Sequence, residues 1–226
     1  MTAEVEVIPH TITPHPLTGM PNGKFGIWLF LASEVMLFGA LFSTYILLRV
    51  GAGDKPVEIK LRHAEEGEHS ALHWERSWPH GYHESGVNLV LATINTMVLI
   101  TSSVTVVMAW YSLQLRNLAR AKLYLWATLA CAFGFLIIKY FEYTHKFHVG
   151  IFPWTHNYYA LYFTMTGLHG LHVIGGIVVF AYLLGPGAKL YTTSPEHYTN
   201  RVECTGLYWH FVDLVWIFLF PVFYLL

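Results

Sequence analysis

Six side chains in this 226-residue chain are of kinds that hold protons or bind ions, and all stand in strongly apolar stretches: Glu34, Glu142, His169, His172, His210 and Asp213. An ionisable group placed in hydrocarbon costs about 2.5–3.5 kcal/mol on insertion scales, so it is expected to face a partner protein, a bound polar group or a water path. His169 and His172 are three residues apart, as are His210 and Asp213, a spacing that puts each pair on one helix face. The chemistry within reach is proton exchange, hydrogen bonding across helices, or ligation of a metal or haem by imidazole. The plainer reading is that each histidine pins helix packing through an interhelical hydrogen bond.

The elements that must position these groups follow from composition. With 54% hydrophobic residues, 12% charged residues and a mean hydropathy of +0.44, the chain is expected to be an integral membrane protein. A formal net charge of −1 offers no basic surface for nucleic acid. Five stretches can cross a hydrocarbon core of about 30 Å: Phe25–Val50, Gly86–Leu113, Leu123–His145, Asn157–Leu184 and Val202–Leu226. They are too long and too uniformly apolar for barrel strands, and a bilayer offers no water to the backbone, so the fold class is an all-α bundle of five transmembrane helices.

Residues 1–24 form a polar segment whose prolines at 9, 14, 16 and 21 argue against helix, and which lacks the basic and apolar regions of a secretory signal. It is expected to stay with the mature chain. Residues 25–226 are expected to form a single membrane domain, with an extramembrane loop at 51–85. That loop holds seven carboxylates and is expected to fold over the bundle or to meet a partner. Its His63, His69, His73, His80 and His83 could be read as a zinc or copper site, but their irregular spacing favours a solvated flap.

Lys24, Arg116, Arg120, Lys122, Lys189 and Arg201 fall on the N-terminal side of the bundle. Weighting short loops more heavily than the mixed-charge 51–85 loop places the N-terminus in the cytoplasm. Measured from that side, Glu34, His210, Asp213 and His172 lie at depths of about 10–18 Å, close enough for one layer of two carboxylates and two imidazoles if their helices are neighbours. Gly167, Gly170, Gly175 and Gly176 leave room beside the histidines for another helix or a lipid chain. Lys139 and Glu142 can pair at three-residue spacing, as a structural ion pair or a head-group contact. Cys131 and Cys204 are far apart, which excludes a CxxC pair, and they read as small buried hydrophobes.

Four segments then carry a resemblance: WLFLASEVMLFGALFSTY from Trp28, INTMVLITSSVTVVMAW from Ile94, TGLHGLHVIGG from Thr166 and YWHFVDLVWIFLF from Tyr208, with KYFEY from Lys139 as a weaker fifth. Together they touch all five spans. The chain resembles subunit III of haem-copper terminal oxidases of the cytochrome c oxidase type, in the short five-helix form.

The resemblance implies a subunit that carries no haem or copper itself, packs against catalytic subunit I in a complex with subunit II, binds phospholipid in a cleft, and supports sustained turnover and proton uptake. Haem and copper are expected in those partner subunits, and contact with other respiratory complexes is possible. Glu34 matches the family's buried span carboxylate. His169, His172, His210 and Asp213 match its polar interior positions, and Glu142 matches its carboxylate near the outer rim. The residues alone leave open a subunit of a quinol oxidase or nitric oxide reductase, a haem-binding membrane anchor with histidine axial ligands, and a small transporter. A transporter is disfavoured because no inverted repeat or broken-helix pair is visible.

Overall fold

The computed structural model describes residues 21–53, 56–60, 71–74, 78–79 and 88–225; for residues 57, 59, 60 and 71–74 it describes the backbone alone. The polar segment before Pro21 and His63, His69, His80 and His83 lie outside the described residues, as does the side chain of His73.

Among the described residues, five helices are long and apolar enough to cross a membrane: α1 (Asn22–Gly51), α2 (Leu89–Gln114), α3 (Leu118–Val149), α4 (Asn157–Leu184) and α5 (Pro195–Phe220). The chain is therefore a multi-pass integral membrane protein with an all-α bundle. Its helices expose large apolar residues, such as Leu29, Val90, Phe141, Leu171 and Ile217, and bury others within. Apolarity all round is what a helix needs when both lipid and neighbours are apolar.

Caps, not hydropathy, set the helix ends. Asn88 accepts a hydrogen bond from Leu91 N, and Asn117 accepts one from Arg120 N, both at 3.1 Å. Asn117 therefore starts α3 at Leu118, ahead of the expected Leu123. His156 caps α4 by accepting from Tyr158 N through Nδ1 at 3.1 Å. At the end of α3, Gly150 adopts φ 90°, a left-handed conformation that costs glycine little, and Ile151 N donates to Lys146 O at 2.9 Å. Pro195 occupies the first turn of α5, where its missing N–H goes unneeded, so the helix starts well before the expected Val202. Pro221 ends the regular hydrogen bonding, and the chain closes in a π-helical turn, Pro221–Leu225.

The loop after α1 contains one feature that hydropathy does not reveal: an antiparallel pair, β1 (Val57–Lys60) with β2 (Ala71–Trp74), in the register Val57 opposite Trp74 and Lys60 opposite Ala71. Trp78 then turns back into the bundle. It is buried against Tyr45, His156 and Tyr158, and its indole N–H donates to Tyr45 Oη at 3.4 Å. Trp78 thus closes over Tyr45 near the Gly51 end of the bundle.

Helices α2 and α3 form a tight hairpin across Leu115–Asn117, with Arg116 at φ 56° in its turn. Helix α5 is the central element, packing on α1, α2 and α4. Gly176 of α4 makes the closest approach: a Cβ there would lie 2.5 Å from Cζ3 of Trp209. Trp209 and Trp216, one heptad apart on α5, both aim their indole N–H at α2, bonding Ser102 Oγ and Thr96 Oγ1 at 3.0 Å each. These bonds fix the α2–α5 register. Helix α1 leans on α5 and α4 and is the least buried of the five.

Candidate functional site

Glu34 of α1 and His172 of α4 meet in the middle of the bundle, with Glu34 Oε2 at 3.0 Å from His172 Nε2. The other ring nitrogen, Nδ1, lies 2.8 Å from Leu168 O, one turn back on the same helix. A carbonyl can only accept, so Nδ1 carries a hydrogen, and the contact with Glu34 then holds one further proton. That proton sits either on the imidazole, giving an ion pair, or on the carboxyl, giving a neutral pair. Both forms sum to zero charge, so the pair can exchange a proton between its members without building net charge in the bilayer. Both side chains remain slightly exposed, at 14% and 15% for His172 and Glu34. Phe38 packs edge-on to His172, and Tyr208 lies along its ring and donates its hydroxyl to His172 O at 2.8 Å.

His210 and Asp213 do not join this pair. His210 Nδ1 hydrogen-bonds Ser103 Oγ of α2. Asp213 is buried beside the same serine, with neither oxygen in a hydrogen bond of normal geometry. The expected layer of two carboxylates and two imidazoles is thus one bonded pair on the α1 side of α5 and a separate His210–Ser103 contact on its α2 side. The cause is rotation about α5: Phe211 faces Phe38 of α1 while His210, the preceding residue, turns to α2. His169 is likewise unconnected to His172, its ring lying between Phe135 and Trp216.

His210 also lines an apolar groove of about 210 Å³ between α2 and α5, with Val106, Val107, Trp110, Gly206 and Leu207. Glu203 stands at its rim. The same glutamate bonds Lys24 of α1 at 2.7 Å and borders a second, polar pocket of about 390 Å³ lined by Lys24, Gln114, Arg116, Glu196 and Asn200. The apolar groove and the polar pocket thus share Glu203 in their walls.

Toward the Gly51 end lies a third group, buried among α3, α4 and the C-terminal turn. Glu142 Oε2 accepts from Lys139 Nζ at 2.8 Å, and Oε1 accepts from the hydroxyls of Tyr162 and Tyr224 at 2.7 Å each. Lys139 also donates to Tyr224 Oη at 2.6 Å and lies 4.6 Å over the Trp216 ring, while Lys146 Nζ sits 4.9 Å over the Tyr162 ring. Lys139 and Glu142 are 8% and 7% exposed, so the pair expected from their spacing is an interior one. Ser103, Tyr162, Tyr208 and Tyr224 escaped the sequence reading because hydroxyl groups are common in spans and carry no distinguishing spacing. Among the described residues, no group of three or more His, Cys, Asp or Glu converges as a metal site.

A family profile described as cytochrome c oxidase subunit III matches residues 70–226. This chain belongs to that family. It is 33% identical over 221 residues to cytochrome c oxidase subunit 3 of Bacillus subtilis, covering 95% of this chain and 91% of that protein. Cytochrome c oxidase subunit 3 of Alkalihalophilus pseudofirmus is 31% identical, with coverage of 94% and 92%. A fused haem-copper oxidase subunit I+III of Aeropyrum pernix is 33% identical over 89% of this chain, a match that spans 22% of the fused protein. The resemblance read from the motifs holds, and the chain is a subunit III of a haem-copper oxidase complex.

Proposed function

We propose that this chain is the accessory subunit III of a terminal oxidase that takes electrons from cytochrome c and reduces oxygen, and that Glu34 with His172 is its working site. The observation that carries the site is the 3.0 Å Glu34–His172 contact, which joins two helices in mid-span and stays partly open. A pair that holds one shared proton, and that stands at a charge of −1 between passing it to a neighbour and taking up the next, suits a subunit that eases proton supply. Cytochrome c is favoured over quinol because the matched family and the relatives above 30% identity that name a donor are cytochrome c oxidases, whereas the subunit 3 of the cytochrome bo(3) ubiquinol oxidase of Pseudomonas aeruginosa is 29% identical.

Subunit I is the direct neighbour in this reading, with subunit II in the same complex. The Aeropyrum protein, named as I+III, supports it by carrying both in one chain. Haem and copper belong to those partners. Phospholipid occupies the groove on α2 and α5, an acyl chain beside His210 and Gly206 and its head group near Lys24 and Arg116. Residues 25–226 act as one membrane domain with 51–85 outside the bilayer. The N-terminus faces the cytoplasm across a bacterial cytoplasmic membrane, with Lys24, Arg116, Arg120, Lys122, Lys189 and Arg201 at that surface.

The test replaces Glu34 by Gln and by Ala in the assembled complex and follows turnover lifetime, proton uptake and bound lipid. The proposal expects the catalytic lifetime to shorten and proton uptake to slow while assembly persists. Unchanged lifetime and uptake in both variants would leave the pair a packing contact only.

A further inference from the structure

Among the described residues, four side chains hold buried polar atoms without a hydrogen bond of normal geometry, Trp110 and three more polar ones, Asn95, His169 and Asp213, which sit on the three helices that meet at Trp216. In these three, both amide atoms of Asn95, both ring nitrogens of His169 and both carboxyl oxygens of Asp213 lack a partner of normal geometry. The three residues are 0%, 1% and 4% exposed. The His169 ring lies 5.3 Å from that of Trp216 and 5.4 Å from that of Phe135. Trp216 donates to Thr96, the residue that follows Asn95, and Asp213 precedes Trp216 by one turn on the same helix.

Orphaned amide and imidazole groups are rare in folded proteins and costly where no bulk water reaches. Local rearrangement does not rescue these. Flipping the Asn95 amide exchanges its oxygen and nitrogen and leaves both unmet, and turning His169 presents it to the faces and edges of Phe135 and Trp216, which offer no acceptor of ordinary strength. The Ser103 hydroxyl beside Asp213 is shared with His210 and has a single hydrogen to give, so it can meet one carboxyl oxygen at most. What all three share is a need for a small ligand that both donates and accepts. Water meets it, and buried water in proteins characteristically bridges two to four such groups.

We propose that the space around Trp216 holds a short file of ordered water that joins Asn95, His169 and Asp213. The file makes the interior polar without interruption from the Lys139–Glu142 cluster, whose ammonium lies over the Trp216 ring, to Asp213 in mid-span. It is separate from the Glu34–His172 pair and does not depend on the role assigned to that pair.

The test is a cryo-electron-microscopy map of the intact oxidase complex at a resolution that shows ordered water, together with thermal denaturation of that complex. Water density within hydrogen-bonding distance of Asn95 and His169 is expected. His169→Phe and Asn95→Leu should each lower the melting temperature by a few degrees. The double variant should lose less than the sum, because either change empties the same file. A dry interior overturns the proposal. So does a melting temperature that rises in His169→Phe with additive behaviour in the double variant, the pattern expected when a truly unsatisfied group is deleted. Should His169→Phe fail to assemble, the map of the wild-type complex decides the matter alone.

Discussion

Two carboxylates of this bundle, Glu142 and Glu34, occupy opposite kinds of surroundings. Glu142 receives three hydrogen bonds from Lys139, Tyr162 and Tyr224, is almost sealed, and ties α3 and α4 to the C-terminal turn. Glu34 has one partner, His172, and keeps some exposure on the least buried helix. A saturated network fixes geometry and has no capacity left for exchange. A single contact with one shared proton holds less structure together and can change state cheaply. The comparison separates a structural pin from a site built to interact.

Breaking the saturated network should have the largest effect. Glu142→Leu leaves the Lys139 ammonium buried without its carboxylate and is expected to destabilise the bundle by about 3–5 kcal/mol, read as lost assembly or a lower melting temperature. Replacing both partners, Lys139→Met with Glu142→Leu, should recover only part of that loss, because Lys146, buried beside the same carboxylate, keeps its charge. If the single variant melts like wild type, the pin is misassigned. Gly176→Ala comes next: its methyl would collide with Trp209, which is itself held by Ser102, so a cost of about 1–3 kcal/mol is expected without a matching change in the turnover of whatever complex assembles. Asn88→Ala removes the α2 cap and should cost about 1 kcal/mol. The smallest stability change is expected for Glu34→Gln, below about 1 kcal/mol since an amide keeps a hydrogen bond to His172, yet this variant should show the greatest loss of catalytic lifetime of the set.

The spans, their order and the all-α class were readable from hydropathy, since five apolar stretches of sufficient length admit few other solutions. Asn157–Leu184 coincides with α4 because His156 and Gly185 bound it on both sides. Pro195–Phe220 was underestimated because its first turns are polar, with His197, Asn200 and Arg201, and helix continues there regardless of hydrocarbon. The six site residues were visible as ionisable groups in apolar surroundings, and helical spacing paired Lys139 with Glu142. Which of the others touch was beyond the sequence. Depth alone grouped His210 and Asp213 with Glu34, whereas azimuth about α5 decides contact, and that depends on packing between helices far apart in the chain. The β1–β2 pair and the Trp78 anchor were hidden for a related reason: short strands in a charged loop carry little periodicity.

The most direct test of the central claim, that this chain works as an accessory subunit within a haem-copper oxidase, is mild-detergent purification through a tag on this chain, followed by a visible spectrum and subunit analysis. The account predicts a complex containing a haem-bearing subunit I in equal amount, with the haem absorbance staying with subunit I when this chain is stripped away. A chain that purifies alone, or that retains haem in equimolar amount after subunit I is removed, would contradict it.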